Sequence, residues 1–579
     1  MRNFLLYGGL AALVLAWNLP NHYPLWTTFH GELTAAAGVC LLFLATLWRP
    51  MPAATAPPTN AGGQQLFALP LPTSARVWFL VALLPLAQYF TGALVFRGDA
   101  LMGFMYALGV VMALYTGYLW ASQEGSARVL ESIFLAIVWA GLAAGGVALA
   151  QWLQLPAPSW WTLDLGASVR PYGNLAQPNH FGLLMVMGIV AATALFEARV
   201  LSHRLSYGVV LFFFGWCMLI STSRASALAL LSIVAFWFIT YRRVASRLRV
   251  PAVLLALVVG LVAYKSLGHI EDSLYLQEVA ARAPLEIGPR ELIWRHFWAA
   301  ILEHPWLGYG FGQGILAIRE VATQVQPSRN SVFAHNFVLD LMTWVGVPLG
   351  LAISLALGAW MLRWLRKAGS AALSAQRHWV FALWLALVIQ SLLEFPYAHT
   401  YFLLPAALLA GAVIALPSSH SAFARATRYT ASWPAVALAG VAMALLTALT
   451  SDYMQLEDDF RSLRFGKAGY VYAVKHHDLV DPWILDQLVA LTAAGQLKLR
   501  PGMPPDQLEL LGTVAQRVHL LPVQMDYAKA LALNGRLMEA QAEMRIIRSL
   551  WPPATFALIE RDWQDWLKEN PQAIAVSAQ

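Results

Sequence analysis

The sequence is poor in charge. Asp, Glu, Lys and Arg make up 12% of its 579 residues, where a soluble globular domain carries roughly 25%. With repeated long apolar runs and a mean hydropathy of +0.57, that shortage excludes an ordinary soluble protein. It points to a polytopic membrane protein. Cysteine is almost missing: Cys40 and Cys217 both lie inside apolar runs, which argues against a disulfide or a metal site. The sequence has no phosphate-binding loop of nucleotide-hydrolase type, no GxGxxG before a helix and no Cys/His metal spacing. Those gaps argue against an ATP-driven transporter and a metalloenzyme. A net charge of +7 does not imply nucleic acid, because the basic residues sit in short loops between apolar runs.

Apolar runs are what the chain does have. They fall near residues 4–19, 33–47, 76–93, 100–120, 129–153, 180–196, 206–221, 226–241, 251–266, 336–362, 378–393, 400–416 and 433–450. Roughly thirteen helical spans follow, since lipid-exposed backbone must satisfy its own hydrogen bonds. The first reads as an uncleaved span, because no small-x-small cleavage site precedes "NHYPLW". The expected fold is all-α: a polytopic helical bundle over 1–450, with an outer loop at 267–335 and a soluble helical domain over 451–579. Within the tail, 527–553 has the pattern of one tetratricopeptide-like hairpin. The segment 50–72 reads as a Pro/Ala/Gly linker.

Charge sets the orientation. With Arg2 inside, alternate loops carry Arg49 and Arg76, Arg128, Arg199 and Arg204, 241–249, 363–367 with Arg377, and Arg425 with Arg428. Every inner loop is then basic, as the positive-inside rule requires. The polar stretches fall on the opposite side, at the starts of inward-running helices: 21–32, 170–180, 221–226, 331–337 and 394–402. Helix starts expose free N–H groups and partial positive charge, which suits anions. Arg170, Arg224 and Arg290 add full charges, so the expected guest is an anionic group at the outer boundary.

Each residue also has a plainer use. Arg224 can snorkel to lipid phosphate, and His335 can be an ordinary interfacial polar residue. Gln177, Pro178 and Asn179 can form a turn and cap. Tyr401 can be an aromatic-belt anchor. Glu394 is harder to dismiss, because an acid at a span end needs a partner. In the outer loop, Trp294, Phe297, Trp298 and Ile301 are spaced to line one helix face, with Arg290 at its start. The functional reading rests on all of these sharing one side.

Together these motifs resemble the membrane-embedded glycan ligases of bacteria. Three features match that superfamily: Ser223-Arg224 at a helix start, the "R…W…HPWLGYGFG" pattern over 290–312, and His335-Asn336 followed by "VGVPLG". "GNLAQPNHFG" after Arg170, "SLLEFPYAHTYFLLP" and "NHYPLWTTFHGE" look like its protein-glycosylating branch. The resemblance implies a multi-pass inner-membrane enzyme facing the periplasm, without nucleotide, metal or other cofactor. Its donor would be an oligosaccharide on undecaprenyl diphosphate. Its acceptor would be a Ser/Thr hydroxyl of a pilin-like protein or, alternatively, lipid A core; an O-antigen polymerase is a third option. By the same resemblance His335 is catalytic, and Arg224, Arg290 and Arg170 hold the diphosphate. Gln177, Tyr401, Asn336, Asn179, His180 and Glu394 position donor or acceptor.

That chemistry suits the residues. An incoming hydroxyl needs a base, and neutral imidazole can serve. A lipid diphosphate is a good leaving group whose developing charge guanidinium groups and helix starts can stabilise. Direct attack inverts the anomeric centre. A lipid-linked sugar flippase would need polar groups at mid-membrane depth, where this chain is almost wholly apolar.

Overall fold

The computed structural model describes residues 1–23, 25–47, 73–156, 158, 160–166, 170–244, 246–276, 290–325, 330–369, 375–415, 433–470, 482–518 and 520–575. The expected linker at 50–72 and the basic loop with Arg425 and Arg428 lie outside the described residues. Among those described, every regular element is helical. Seven helices are long and apolar enough to cross a membrane: Phe29–Leu47, Arg97–Glu124, Ser126–Trp152, Pro178–Glu197, Val250–Ser273, Val347–Leu365 and Val436–Gly466. Shorter apolar helices occupy Arg2–Ala16, Arg76–Phe90, Arg204–Ile220, Arg224–Thr240 and Thr400–Ile414. The chain is an all-α, multi-pass membrane protein.

It divides into two compact units. The first comprises Met1–Val81, Tyr106–Glu286 and Ala359–Thr447. Its central element is the Pro178–Glu197 helix, whose most apolar window is 89% buried. It packs against the Ser126–Trp152, Arg204–Ile220 and Ala375–Ser391 helices. The still more apolar Val250–Ser273 helix is only 6% buried. An apolar surface left so bare faces lipid. Gly182 shows how tightly the centre closes, since a Cβ there would come within 2.5 Å of Ser226 Oγ.

The second unit comprises Ala82–Met105, Ile287–Gly358 and Ala448–Gln579. Here two sequence expectations are corrected. The run 336–362 is not one span but two helices, Phe337–Val345 and Val347–Gly369. Gly346 breaks it at φ 81°, a left-handed conformation that glycine adopts at no steric cost. A Cβ at Gly346 would also strike the Trp306 carbonyl at 2.1 Å. Of the four residues expected on one face of the Arg290–Glu303 helix, Phe297 and Ile301 are buried. Trp298, however, is 50% exposed on the other side, because the buried stripe follows Ile293, Phe297 and Ala300 instead.

The Trp433–Lys467 helix runs through residue 450 without interruption. Beyond it the tail forms the helices Asp486–Gln496, Pro505–Arg517, Leu521–Leu533, Leu537–Leu550 and Pro553–Glu569. Gly535, at φ 77°, makes the turn between Leu521–Leu533 and Leu537–Leu550, the hairpin spanned by 527–553.

Candidate functional site

In the first unit, hydrogen bonds join four of the polar stretches, three of them in a closed ring and the fourth, 221–226, attached to it. His22 Nε2–H donates to the Asn174 carbonyl at 2.7 Å, joining 21–32 to 170–180. Arg170 donates from Nε and Nη2 to the Ser221 carbonyl at 3.1 and 2.8 Å, joining 170–180 to 221–226. Asn179 Nδ2 and Gln177 Nε2 donate to the Glu394 carboxylate at 2.7 and 3.3 Å, joining 170–180 to 394–402. His399 Nδ1–H donates to Glu32 at 3.0 Å and completes the circuit. Glu394, Glu32 and His180 are buried. Both oxygens of Glu394 accept an amide hydrogen bond, and the cost of burying an unsatisfied carboxylate explains why 170–180 and 394–402 meet.

Local chemistry prepares each helix start. Gln177 is the N-cap of the Pro178 helix and its side chain accepts from the His180 N–H. Ser223 is the N-cap of the Arg224 helix and accepts from the Ser226 N–H. Ser226 Oγ also donates to Ser223 Oγ at 2.8 Å and accepts from Gln390 Nε2 at 2.7 Å. Arg224, the first residue of its helix, is half-buried. Tyr401 is not a lipid-facing belt residue: it is 3% exposed, and its ring stacks on His399 with centroids 5.0 Å apart. His180 meets Phe395, His399 and Phe402 edge-on.

The second unit holds His335, Asn336 and Arg290. His335 is a half-buried residue at φ 54°, a conformation costing a non-glycine residue about 1–2 kcal/mol. Its neighbours hold it there. The Ala334 N–H donates to both oxygens of the buried Asp340, at 3.0 and 3.1 Å. The Ala334 carbonyl accepts from Trp294 Nε1 at 3.0 Å. Asn336 caps the Phe337 helix through the Val338 and Leu339 N–H groups. Arg290 begins the helix that carries Trp294, and its i, i+4 spacing sets both on one face. The tail supports this loop: Ala334 shares a hydrophobic cluster with Ile293, Phe297, Ile315 and Leu550, and Arg319 pairs with Glu543.

Ala176, Thr222 and His335 have positive φ, and each immediately precedes an N-cap: Gln177, Ser223 or Asn336. The same left-handed step thus introduces three of the helices that bear the suspected motifs. Backbone held in sparsely populated regions concentrates at functional sites.

Sequence reasoning missed Glu32, His399, Gln151 and Gln390. Glu32 and His399 lay within the polar stretches, and an acid at a span start was the available signal. Gln151, alone in an apolar run, accepts from the Tyr172 and Gly173 N–H groups; that isolation was its signal. Among the described residues, no cluster of three or more His, Cys, Asp or Glu is placed to hold a metal ion.

Comparison with known proteins gives two family matches and two relatives. Residues 209–354 match a family described as O-antigen ligase. Residues 351–565 match one described as the C-terminal part of a virulence factor membrane-bound polymerase. The chain is 26% identical over 572 residues to a general O-oligosaccharyltransferase of Acinetobacter baylyi (strain ATCC 33305 / BD413 / ADP1), covering 95% of this chain and 93% of the relative. It is 23% identical over 419 residues to a ComP-specific O-oligosaccharyltransferase of the same strain, covering 71% of each.

Proposed function

Because this chain belongs to the O-antigen ligase superfamily and is a glycosyltransferase of the O-oligosaccharyltransferase kind, we propose that it moves an oligosaccharide from undecaprenyl diphosphate to Ser or Thr hydroxyls of exported, pilin-like proteins. The observation that carries this reading is the match to a general O-oligosaccharyltransferase along 95% of the chain. It runs through the polar helix starts and the tail alike. The site faces the periplasm, opposite the basic loops.

In this reading His335 accepts the proton of the incoming hydroxyl as its oxygen attacks the anomeric carbon. The bond from that carbon to the diphosphate breaks with inversion, and undecaprenyl diphosphate leaves. Arg224 and Arg290, each at a helix start, take up the charge that develops on it. Arg170 supports Arg224, since its Nε and Nη2 groups hold the Ser221 carbonyl just before Ser223. Gln177, Asn179 and Glu394 form one hydrogen-bonded wall; His180 and Tyr401 orient donor or acceptor, and Asn336 does so from the start of the Phe337 helix. Preorganisation of this kind supplies the proximity and orientation such a displacement needs.

The test is co-expression with an acceptor protein and a lipid-linked glycan, followed by mass spectrometry. A glycan mass shift is expected, and it should vanish in His335→Ala. A shift undiminished in that variant removes His335 as the base. The match to an O-antigen ligase family over 209–354 favours a second reading, with lipid A core as acceptor. Loss of the O-antigen ladder on gene deletion, with glycoproteins intact, would select it.

A further inference from the structure

The Glu32–His399 pair belongs to the part of the ring that the proposed reaction leaves unused. Glu32 lies in the first turn of the Phe29–Leu47 helix and is 4% exposed. Its Oε1 accepts from Thr28 Oγ1 at 2.6 Å and from His399 Nδ1 at 3.0 Å. Its carbonyl accepts from Thr400 Oγ1 at 3.0 Å. Oε2 is buried without a hydrogen-bond partner among the described residues. His399 is 7% exposed. Its ring lies nearly parallel to Tyr401, at an interplanar angle of 6°, and meets His180 edge-on at 4.8 Å.

A structural strut explains this poorly. Burying an ion costs several kcal/mol, and apolar residues of similar volume hold helices together at lower cost. Leaving one carboxylate oxygen unsatisfied adds to that cost. What the pair does supply is orientation. A carboxylate that receives Nδ1–H fixes the imidazole tautomer and leaves Nε2 as the acceptor nitrogen. The ring is then immobile, and the aromatic side chains on it inherit its placement.

We propose that Glu32 and His399 are a positioning dyad for glycan transfer: Glu32 fixes the His399 ring, and that ring sets the Tyr401 side chain stacked on it. The inference rests on the proposed role of Tyr401 in orienting donor or acceptor. The dyad acts through Tyr401 and contacts no substrate itself. Gly31 borders the same seat, where a Cβ would be in ordinary contact with Tyr401 Cδ1 at 3.5 Å. Phe395 closes another side of His399, with ring centroids at 5.7 Å.

The full-length enzyme in detergent, with lipid-linked oligosaccharide and an acceptor protein, provides the test. Glu32→Gln and His399→Phe should each lower kcat about 10- to 100-fold, as small misplacements of reacting groups do. KM for the donor should stay within about 2-fold. Tyr401→Phe should lower kcat as well, and adding E32Q to Y401F should cost nothing further. A merely structural pair behaves differently: its loss lowers the unfolding temperature and multiplies with the Tyr401 effect. The dyad is overturned if E32Q and H399F keep wild-type kcat, or if their losses multiply with that of Y401F. His399→Asn, which keeps a donor near the Nδ1 position, guards against misfolding and should unfold at the wild-type temperature. Wild-type enzyme that modifies no protein acceptor overturns the proposed acceptor instead. The same variants are then scored on the O-antigen ladder, where an undiminished ladder rejects the dyad.

Discussion

Asn179 donates to Glu394 through a 2.7 Å hydrogen bond that spans 215 residues of sequence. With the longer contact from Gln177, it makes one buried carboxylate the meeting point of two loops. Glu394→Ala leaves both amides facing a cavity, at about 1–3 kcal/mol for each buried group left unsatisfied. Asn179→Asp should be worse, because it sets two carboxylates at contact distance. Thermal unfolding in detergent should rank the stabilities wild type, then E394A, then N179D. N179D as stable as wild type would show that Glu394 is neutral or held elsewhere.

The tail should prove integral to the His335 loop. Arg319 Nη2 reaches both oxygens of Glu543, at 2.6 and 2.7 Å, and both side chains are buried. Removing one partner of such a pair costs about 3–5 kcal/mol. Glu543→Ala should therefore speed hydrogen exchange in Gly314–Glu320 and Leu537–Leu550, and activity should fall with it. Glu543→Gln keeps the acceptor oxygen and should lose less. Unchanged exchange in E543A would mean the tail stands apart from the loop.

His335 provides a backbone prediction separate from its chemistry. At φ 54°, alanine keeps the strain of the left-handed conformation, while glycine relieves it and loses some entropy on folding. His335→Gly should be more stable than His335→Ala by about 0.5–1 kcal/mol. Both should be inactive. Equal stabilities would show that the loop relaxes out of this conformation once the imidazole is gone.

Acid should loosen the ring of loops through His22, which lies between the first two helices. Burial pushes its imidazole below the ordinary value, against the opposing pull of the Asn174 and Thr27 backbone groups. The unfolded chain therefore takes up the proton first. The contribution of His22 is complete above its unfolded pKa of about 6.5 and is lost as pH falls below it, towards the lower folded value. Wild type should lose more of its unfolding temperature than His22→Gln between about pH 7.5 and about pH 5. Parallel curves would assign acid sensitivity to another group.

Much of this was legible because residue type alone marks a helix start in an apolar chain. Gln177, Ser223 and Asn336 show themselves through their cap chemistry. Arg224 and Arg290 stand out as charges beside oily runs. Pairing was not legible. Nothing local to Glu32 indicates that His399 is its partner, and Arg170 gives no sign that its donors go to the Ser221 carbonyl. The break at Gly346 was hidden for a related reason. The Trp306 carbonyl that a Cβ there would strike comes from outside the run, and local apolar periodicity cannot reveal it.

The Glu32–His399 contact also sets a clock on the making of the protein. The two residues are 367 positions apart, so at roughly 5–20 residues per second a ribosome needs on the order of 20–70 s to deliver the second after the first. Throughout that interval the Phe29–Leu47 helix carries an acid whose imidazole does not yet exist. The membrane insertion machinery, or water at the lipid boundary, must accommodate it until the Thr400–Ile414 helix arrives. Chains stopped short of that helix would keep an unmatched carboxylate at the membrane edge.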